Sequence, residues 1–189
     1  MKEADKQIKI LHKFKVDNSK FGKGCFAIKH IKKGESICFF GGEETTWKES
    51  ERRYLEGKDR LDDPFQISET KYIELYKPYI YFNHSCNPNS GFRGKNKLIA
   101  IKDIKPGEEI TYDYSTVVWD DRWVKNHGAW TMKCECEEKS CRKMIGDFLT
   151  IPKAQRMEYV KLGVVPNFIL KKLAKENKKC LTTFNLNKE

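Results

Sequence analysis

Through residues 8–114 apolar positions come in short runs broken by polar, glycine-bearing turns. IKILHKFKV at 8–16 mixes apolar and basic residues in near alternation, the period of a half-buried strand. CFAI (25–28) and SICFF (36–40) follow, set off by the turns FGKG (21–24) and KKGE (32–35). That rhythm predicts a β protein with tight connections. TTWKESERRYLEGKDR (45–60) is charged and predicts a helix capped by Thr45 or Thr46. FQI (65–67) and KYIEL (71–75) predict a hairpin turning near Glu69 and Thr70. KLIAI (97–101) predicts a strand, KDIKPGEE (102–109) a turn, and ITYDY (110–114) a short aromatic strand.

The pattern then changes. Residues 115–133 hold Trp119, Trp123 and Trp130 without a clear period. After Pro152, KAQRMEYVKLG predicts a helix ending at Gly163, and FILKKLAKENKK (168–179) a second. TTFNLNKE (182–189) reads as a frayed tail. No internal repeat or low-complexity segment stands out. Strands and helices do not alternate, and no GxGxxG opens a helix, which argues against a doubly wound nucleotide-binding sheet. The fold class expected is mostly β with some α: small sheets, then C-terminal helices.

At 189 residues the chain fits one domain with room for a terminal extension. With 39% hydrophobic and 12% aromatic residues it has material for a core. No apolar stretch reaches the roughly 18 residues a membrane span needs, and MKEADKQIKILHKFK lacks the apolar centre of a secretory signal. The formal net charge of +10 favours acidic partners, such as nucleic acid or proteins seated on it, and equally suits a lysine-rich solvated surface. No nucleic-acid motif accompanies it.

The 7 cysteines are an odd number without an export signal. A reducing, cytoplasmic compartment (nuclear in a eukaryote) and metal binding are expected over disulfides. Cys134, Cys136 and Cys141 form a C-x-C-x4-C group, three thiols for a tetrahedral zinc. The fourth ligand is to be found among Cys25, Cys38, Cys86, Cys180, His84 and His127. Cys86 is favoured, because it sits in a polar, exposed-looking turn where a bare thiol is a liability. Cys25 and Cys38, inside apolar runs, read as core residues. Four thiolates leave no open position, so such a metal is structural.

The turn holding Cys86 is YFNHSCNPNS (81–90). Asn, Ser and Pro are turn formers, and a plain loop reads much like this. Asn83-His84-Ser85 also fits a glycosylation sequon, which has no meaning in a reducing compartment.

Four segments in one order resemble the SET-domain protein lysine methyltransferases: FGKG (21–24) a Gly-x-Gly turn, FNHSCNPN (82–89) the Asn-His-Ser-Cys motif, GEEITYDY (107–114) the Gly-Glu-Glu-Leu-Thr-x-Asp-Tyr motif, and CECEEKSCRKMI (134–145) the cysteine-rich segment after the domain. They cover residues 10–146 and resemble the compact, single-domain, microbial-like members. The resemblance implies a SET (β-clip) fold in which the Asn-His-Ser-Cys and TYDY segments cross in a knot-like way. It implies a SET domain over 1–133, a post-SET zinc segment over 134–150, and a helical extension and tail over 151–189. Phe21, Gly22, Lys23, Gly24, Asn83, His84 and Tyr114 would contact S-adenosylmethionine. Cys86, Cys134, Cys136 and Cys141 would hold one structural zinc. Tyr114 would be the catalytic tyrosine and Tyr112 the residue that tunes how many methyl groups are added.

The implied chemistry is consistent with these residue types. A lysine amine must be neutral to attack, and its pKa near 10.4 is lowered by a narrow aromatic channel. The channel also aligns nitrogen, methyl carbon and sulfur. A hydroxyl on Tyr112 takes up room and by itself favours monomethylation; with Phe40 in place of a channel tyrosine the expectation is mono- or dimethylation. His84 could serve as a general base; the resemblance gives it a cofactor-binding role. Two departures stand out. Phe40 occupies a position where many members carry a channel tyrosine, and residues 115–133 are a long link whose tryptophans read as covering residues.

The function expected is a methyltransferase acting on lysines of histone, nucleoid-associated or other proteins. The alternative is a catalytically silent, zinc-stabilised module that associates with chromatin or nucleic acid.

Overall fold

The computed structural model describes residues 13–57, 64–119 and 130–186, with side chains described as far as Glu176. β1 (Phe14–Ser19) and β2 (Gly22–Ala27) form a hairpin. β3 (Ser36–Phe39), β7 (Ser90–Arg93) and β8 (Lys97–Ala100) form a sheet in the order β3-β8-β7, and β4 (Gly42–Thr46), β5 (Phe65–Gln66) and β6 (Lys71–Leu75) one in the order β4-β6-β5. β9 (Met132–Lys133) pairs with β10 (Met144–Ile145). All these pairings are antiparallel. The hairpin expected from FQI and KYIEL is β5–β6. β4 and β7 were not legible: GEETT and SGFR carry no apolar alternation.

α1 (Trp47–Leu55) starts where expected. Thr46 accepts the N–H of Glu49, the Thr-x-x-Glu arrangement that satisfies a free helix-start donor. α2 (Lys153–Lys161) stops at Gly163, whose φ of +66° suits glycine. α3 spans Asn167–Leu186, so the helical backbone continues into the segment expected to fray.

ITYDY is not a strand. Residues 109–112 make single bridges to two different neighbours, Glu109 with Phe26 and Tyr112 with His84. Ile110 N–H reaches Cys25 O at 2.7 Å, while Tyr112 N–H reaches Asn83 O and Ser85 N–H reaches Tyr112 O. A chain that changes partner after each residue pair builds no ladder, whatever its propensity.

A repeat is also present. AIKHIKKGE (27–35) and AIKDIKPGE (100–108) differ only at His30/Asp103 and Lys33/Pro106. Ile31 and Ile104 exchange N–H···O bonds, both 2.9 Å. Ala27 N–H reaches Glu108 O at 2.9 Å, and Ala100 N–H reaches Glu35 O at 3.0 Å. Glu35 and Glu108 each accept the N–H three residues back, at 3.1 and 3.0 Å. Gly34 and Gly107 turn the chain at φ +84° and +85°. Two like turns thus clasp one another about a local two-fold axis and bring β2 and β3 beside β8 and the TYDY segment.

The main core centres on Phe40, fully buried against Phe65, Tyr79, Phe82, Phe92 and Tyr112 at ring separations of 4.7–5.9 Å. Cys25 and Cys38 are buried in it, as expected. A second core joins Ile99 and Ile101 to Trp119, Phe148, Tyr159 and Phe168, fixing α2 and α3 to the β8 sheet. Among the described residues no helix is long and apolar enough to cross a membrane.

Candidate active site and thiolate cluster

The Asn83–Ser85 and Tyr112–Tyr114 segments run side by side, in parallel at His84 and Tyr112. Beside them opens a cavity of about 640 Å³. Phe21, Lys23, Asn83, His84, Tyr112 and Tyr114 all line it, as do Cys134, Cys136 and Trp130, so residues singled out from separate segments of the sequence meet there. Gly22 and Gly24 do not line it. Gly22 turns the hairpin at φ +97°, and Gly24 is packed so closely that an added Cβ would lie 2.2 Å from Glu109 Oε1.

Tyr114 is fixed at both ends. Its hydroxyl donates to Phe82 O at 2.8 Å and its backbone N–H donates to His84 Nδ1 at 3.2 Å. Its ring lies 4.8 Å from that of Tyr112. Tyr112 is buried, and burial with Tyr114 alongside pushes its phenol pKa well up. Phe40 is absent from the cavity lining; Tyr79, 5.3 Å from it, supplies an aromatic wall there, and burial raises its phenol to about 12.

Burial, with Arg142 nearby, drives His84 down to about 3, so the ring is neutral. Because Nδ1 accepts from Tyr114, the proton sits on Nε2, 3.3 Å from Cys86 Sγ. A neutral imidazole committed at both nitrogens is a scaffold for Tyr114 and a poor general base.

Cys86 is not exposed, as its polar turn suggested; it is 1% exposed beneath the 134–145 segment. Its sulfur lies 3.7 Å from that of Cys134, which lies 3.6 Å from that of Cys141. A zinc–sulfur tetrahedron with bonds near 2.3 Å has edges of about 3.8 Å. The Cys136 sulfur accepts Cys86 N–H at 3.5 Å. The ligand atoms of His84, Cys86, Cys134 and Cys136 all lie within 4.8 Å of one another, so this is a possible His/Cys metal site. Burial raises the Cys86 and Cys134 thiols, whereas the Lys143 N–H holds Cys141 down to about 7.

Residues 22–115 match the SET domain family model. The chain carries a SET domain. Human histone-lysine N-methyltransferase SETMAR is 33% identical over 147 residues, covering 65% of this chain and 22% of that protein. Arabidopsis thaliana histone-lysine N-methyltransferase ASHH3 is 31% identical over 144 residues, covering 69% and 37%. The crystal structure of the methyltransferase domain of human SETMAR superposes with a TM-score of 0.52 at 26% identity, covering 71% of this chain and 58% of that one. The chain spans only 4–37% of the length of the first three curated relatives.

Around the SET domain's site lie residues the sequence did not single out. The buried carboxylate of Asp113 accepts from Arg142 at 2.5 Å, Ser115 N–H at 3.1 Å and Tyr159 at 3.3 Å. Burial raises its pKa and Arg142 opposes that. Gln155 on α2 donates to Cys86 O at 2.9 Å and to the Tyr159 hydroxyl at 2.7 Å. α2 therefore braces both the thiolate turn and the TYDY segment. The only sequence signal was that Arg142 directly follows the last clustered cysteine. Of the tryptophans, Trp119 is core and Trp130 lines the cavity; Trp123, like His127, lies outside the described residues, as does the Cys180 side chain.

Proposed function

We propose that this chain is an S-adenosylmethionine-dependent protein-lysine N-methyltransferase acting on histone, nucleoid-associated or other protein lysines, and adding one or two methyl groups. The observation that carries the reading is Tyr114, anchored through Phe82 and His84 with its ring in the same cavity as Asn83 and Tyr112. The relatives are named histone-lysine methyltransferases, which supports the reaction class.

The cofactor supplies an electrophilic methyl on a sulfonium. Phe21, Lys23 and Asn83 form the wall suited to hold it, and Gly22 and Gly24 shape the turn behind them. Phe65, Tyr79, Tyr112 and Tyr114 are suited to sheathe a lysine stem and exclude water, which favours the neutral amine. These residues would hold the lysine nitrogen neutral, its proton released to solvent before transfer, and in line with the methyl group that the bound cofactor would supply. Tyr114 aligns the reacting centre.

Cys86, Cys134, Cys136 and Cys141 would hold a structural zinc. Two sulfur separations, Cys86–Cys134 and Cys134–Cys141, match the edge of a zinc tetrahedron, and Cys136 clusters with Cys86 and Cys134. The backbone N–H of Arg142 donates to Cys86 Sγ at 3.4 Å, a main-chain bond that favours a thiolate. The Arg142 guanidinium, paired with Asp113, lies near enough to favour the Cys86 thiolate as well. His84, with Nδ1 already bonded to Tyr114, would sit just outside that shell.

The test is incubation of zinc-loaded protein with labelled S-adenosylmethionine and a panel of histones and other basic proteins, read by mass spectrometry. Methylated lysine in any of them supports the reading. Cofactor binding without transfer to any of them would favour a silent binding module, and no binding at all would defeat the cofactor site.

A further inference from the structure

Asn83 is positioned by the carboxylate of Glu109, a residue of the GEEITYDY segment to which the sequence alone assigns no role. Its Nδ2 donates to Glu109 Oε1 at 2.6 Å and to Lys23 O at 2.9 Å, with Ser19 Oγ at 3.4 Å. Both amide hydrogens are thereby used. Among the described residues Asn83 Oδ1 accepts no hydrogen bond, and Asn83 lines the cavity. Turning the amide over would set Oδ1 against the Glu109 carboxylate and the Lys23 carbonyl, three acceptors with no donor between them. The orientation is therefore dictated by its neighbours.

Glu109 is itself held. Ser19 Oγ donates to its Oε2 at 3.1 Å, its carbonyl accepts from Asn89 Nδ2 at 2.8 Å, and its backbone bridges to Phe26. Its carboxylate reaches Asn83 only because residue 24 has no Cβ. Among the described residues no lysine or arginine pairs with it; the Lys23 ammonium turns instead to Asn18 Oδ1 at 2.8 Å. An unneutralised carboxylate behind the amide polarises it, so that the free oxygen becomes a stronger acceptor for a cation.

We propose that Glu109 is a positioning residue that locks Asn83 with its oxygen facing the cavity and so selects a cofactor carrying a protonated primary amine. The proposal rests on the cofactor reading above. Glu109 acts through Asn83 and does not touch the ligand.

The experiment compares two ligands by calorimetry on zinc-loaded protein: S-adenosylhomocysteine, and its desamino analogue in which 4-mercaptobutyrate replaces homocysteine. They differ only in the amino group. Glu109→Ala is expected to weaken S-adenosylhomocysteine about tenfold and the desamino analogue less than about twofold. Glu109→Gln, whose carbonyl can still accept from Asn83, should recover most of the loss. Should Glu109→Ala fail to fold, Glu109→Met keeps the bulk against Gly24 and carries the same expectation. Equal loss for both ligands, or none for either, overturns the proposal. If the unaltered protein binds S-adenosylhomocysteine but does not prefer it over the desamino analogue, the proposal fails while the cofactor site stands. If it binds neither, both fall.

Discussion

The backbone N–H of Tyr114 is donated to Nδ1 of His84 at 3.2 Å. That bond ties the first half of the site to the second, because the two residues lie on segments far apart in the chain and touching in space. His84→Ala removes the acceptor and leaves a largely buried N–H unpaired, in addition to a cavity. A loss of about 2–4 kcal/mol is expected in urea denaturation, together with a fall in methyl transfer as Tyr114 loosens. Unchanged stability would mean that the imidazole is not holding Tyr114.

The thiolate cluster makes a prediction about metal. The purified protein should contain about one zinc per chain by elemental analysis. Chelation, or Cys134→Ser, should lower Tm by about 10 °C or more, since structural zinc binding is folding free energy. A chain that keeps its Tm after the metal is stripped would remove the structural role.

The clasped turns predict a symmetry of energies. Gly34 and Gly107 have nearly the same positive φ, and open space surrounds the Cβ position of each. Gly34→Ala and Gly107→Ala should therefore each cost about 1 kcal/mol, and by similar amounts, from backbone strain alone. Chemical denaturation of the two variants checks this. A large difference between them would show that the turns are not equivalent.

Tyr112 is expected to limit product number. Tyr112→Phe removes a hydroxyl beside Tyr114 and opens room for a methylated amine. Mass spectrometry of the product should show a shift towards higher methylation with total transfer retained. An unchanged product distribution would locate the limit elsewhere, with Tyr79 the next candidate on that wall.

Much of this was legible because it was local. Thr46 caps α1, Gly163 follows α2 and the β5–β6 hairpin turns where its residues dictate. The C-x-C-x4-C spacing brought three thiols together by itself. What escaped was long-range. ITYDY has strand propensity but changes partner at each step, a fact held by residues 25–26 and 83–85 rather than by its own sequence. The AIK-x-IK-x-GE repeat is inconspicuous because its copies serve as turns, where basic residues and glycine look generic. Cys86 looked exposed because its neighbours are polar, yet those neighbours spend their polarity on one another and on Glu138. Asp113, Arg142, Gln155 and Tyr159 carry no pattern in sequence; only the fold brings them together.

The most direct test of the account is single-turnover methyl transfer by Tyr114→Phe beside the unaltered protein, with cofactor affinity measured in parallel. The account predicts that transfer falls about 100-fold or more while cofactor affinity changes less than about tenfold. Transfer by Tyr114→Phe at the unaltered rate would contradict it, because the hydroxyl that anchors this ring to Phe82 would then play no part in the chemistry.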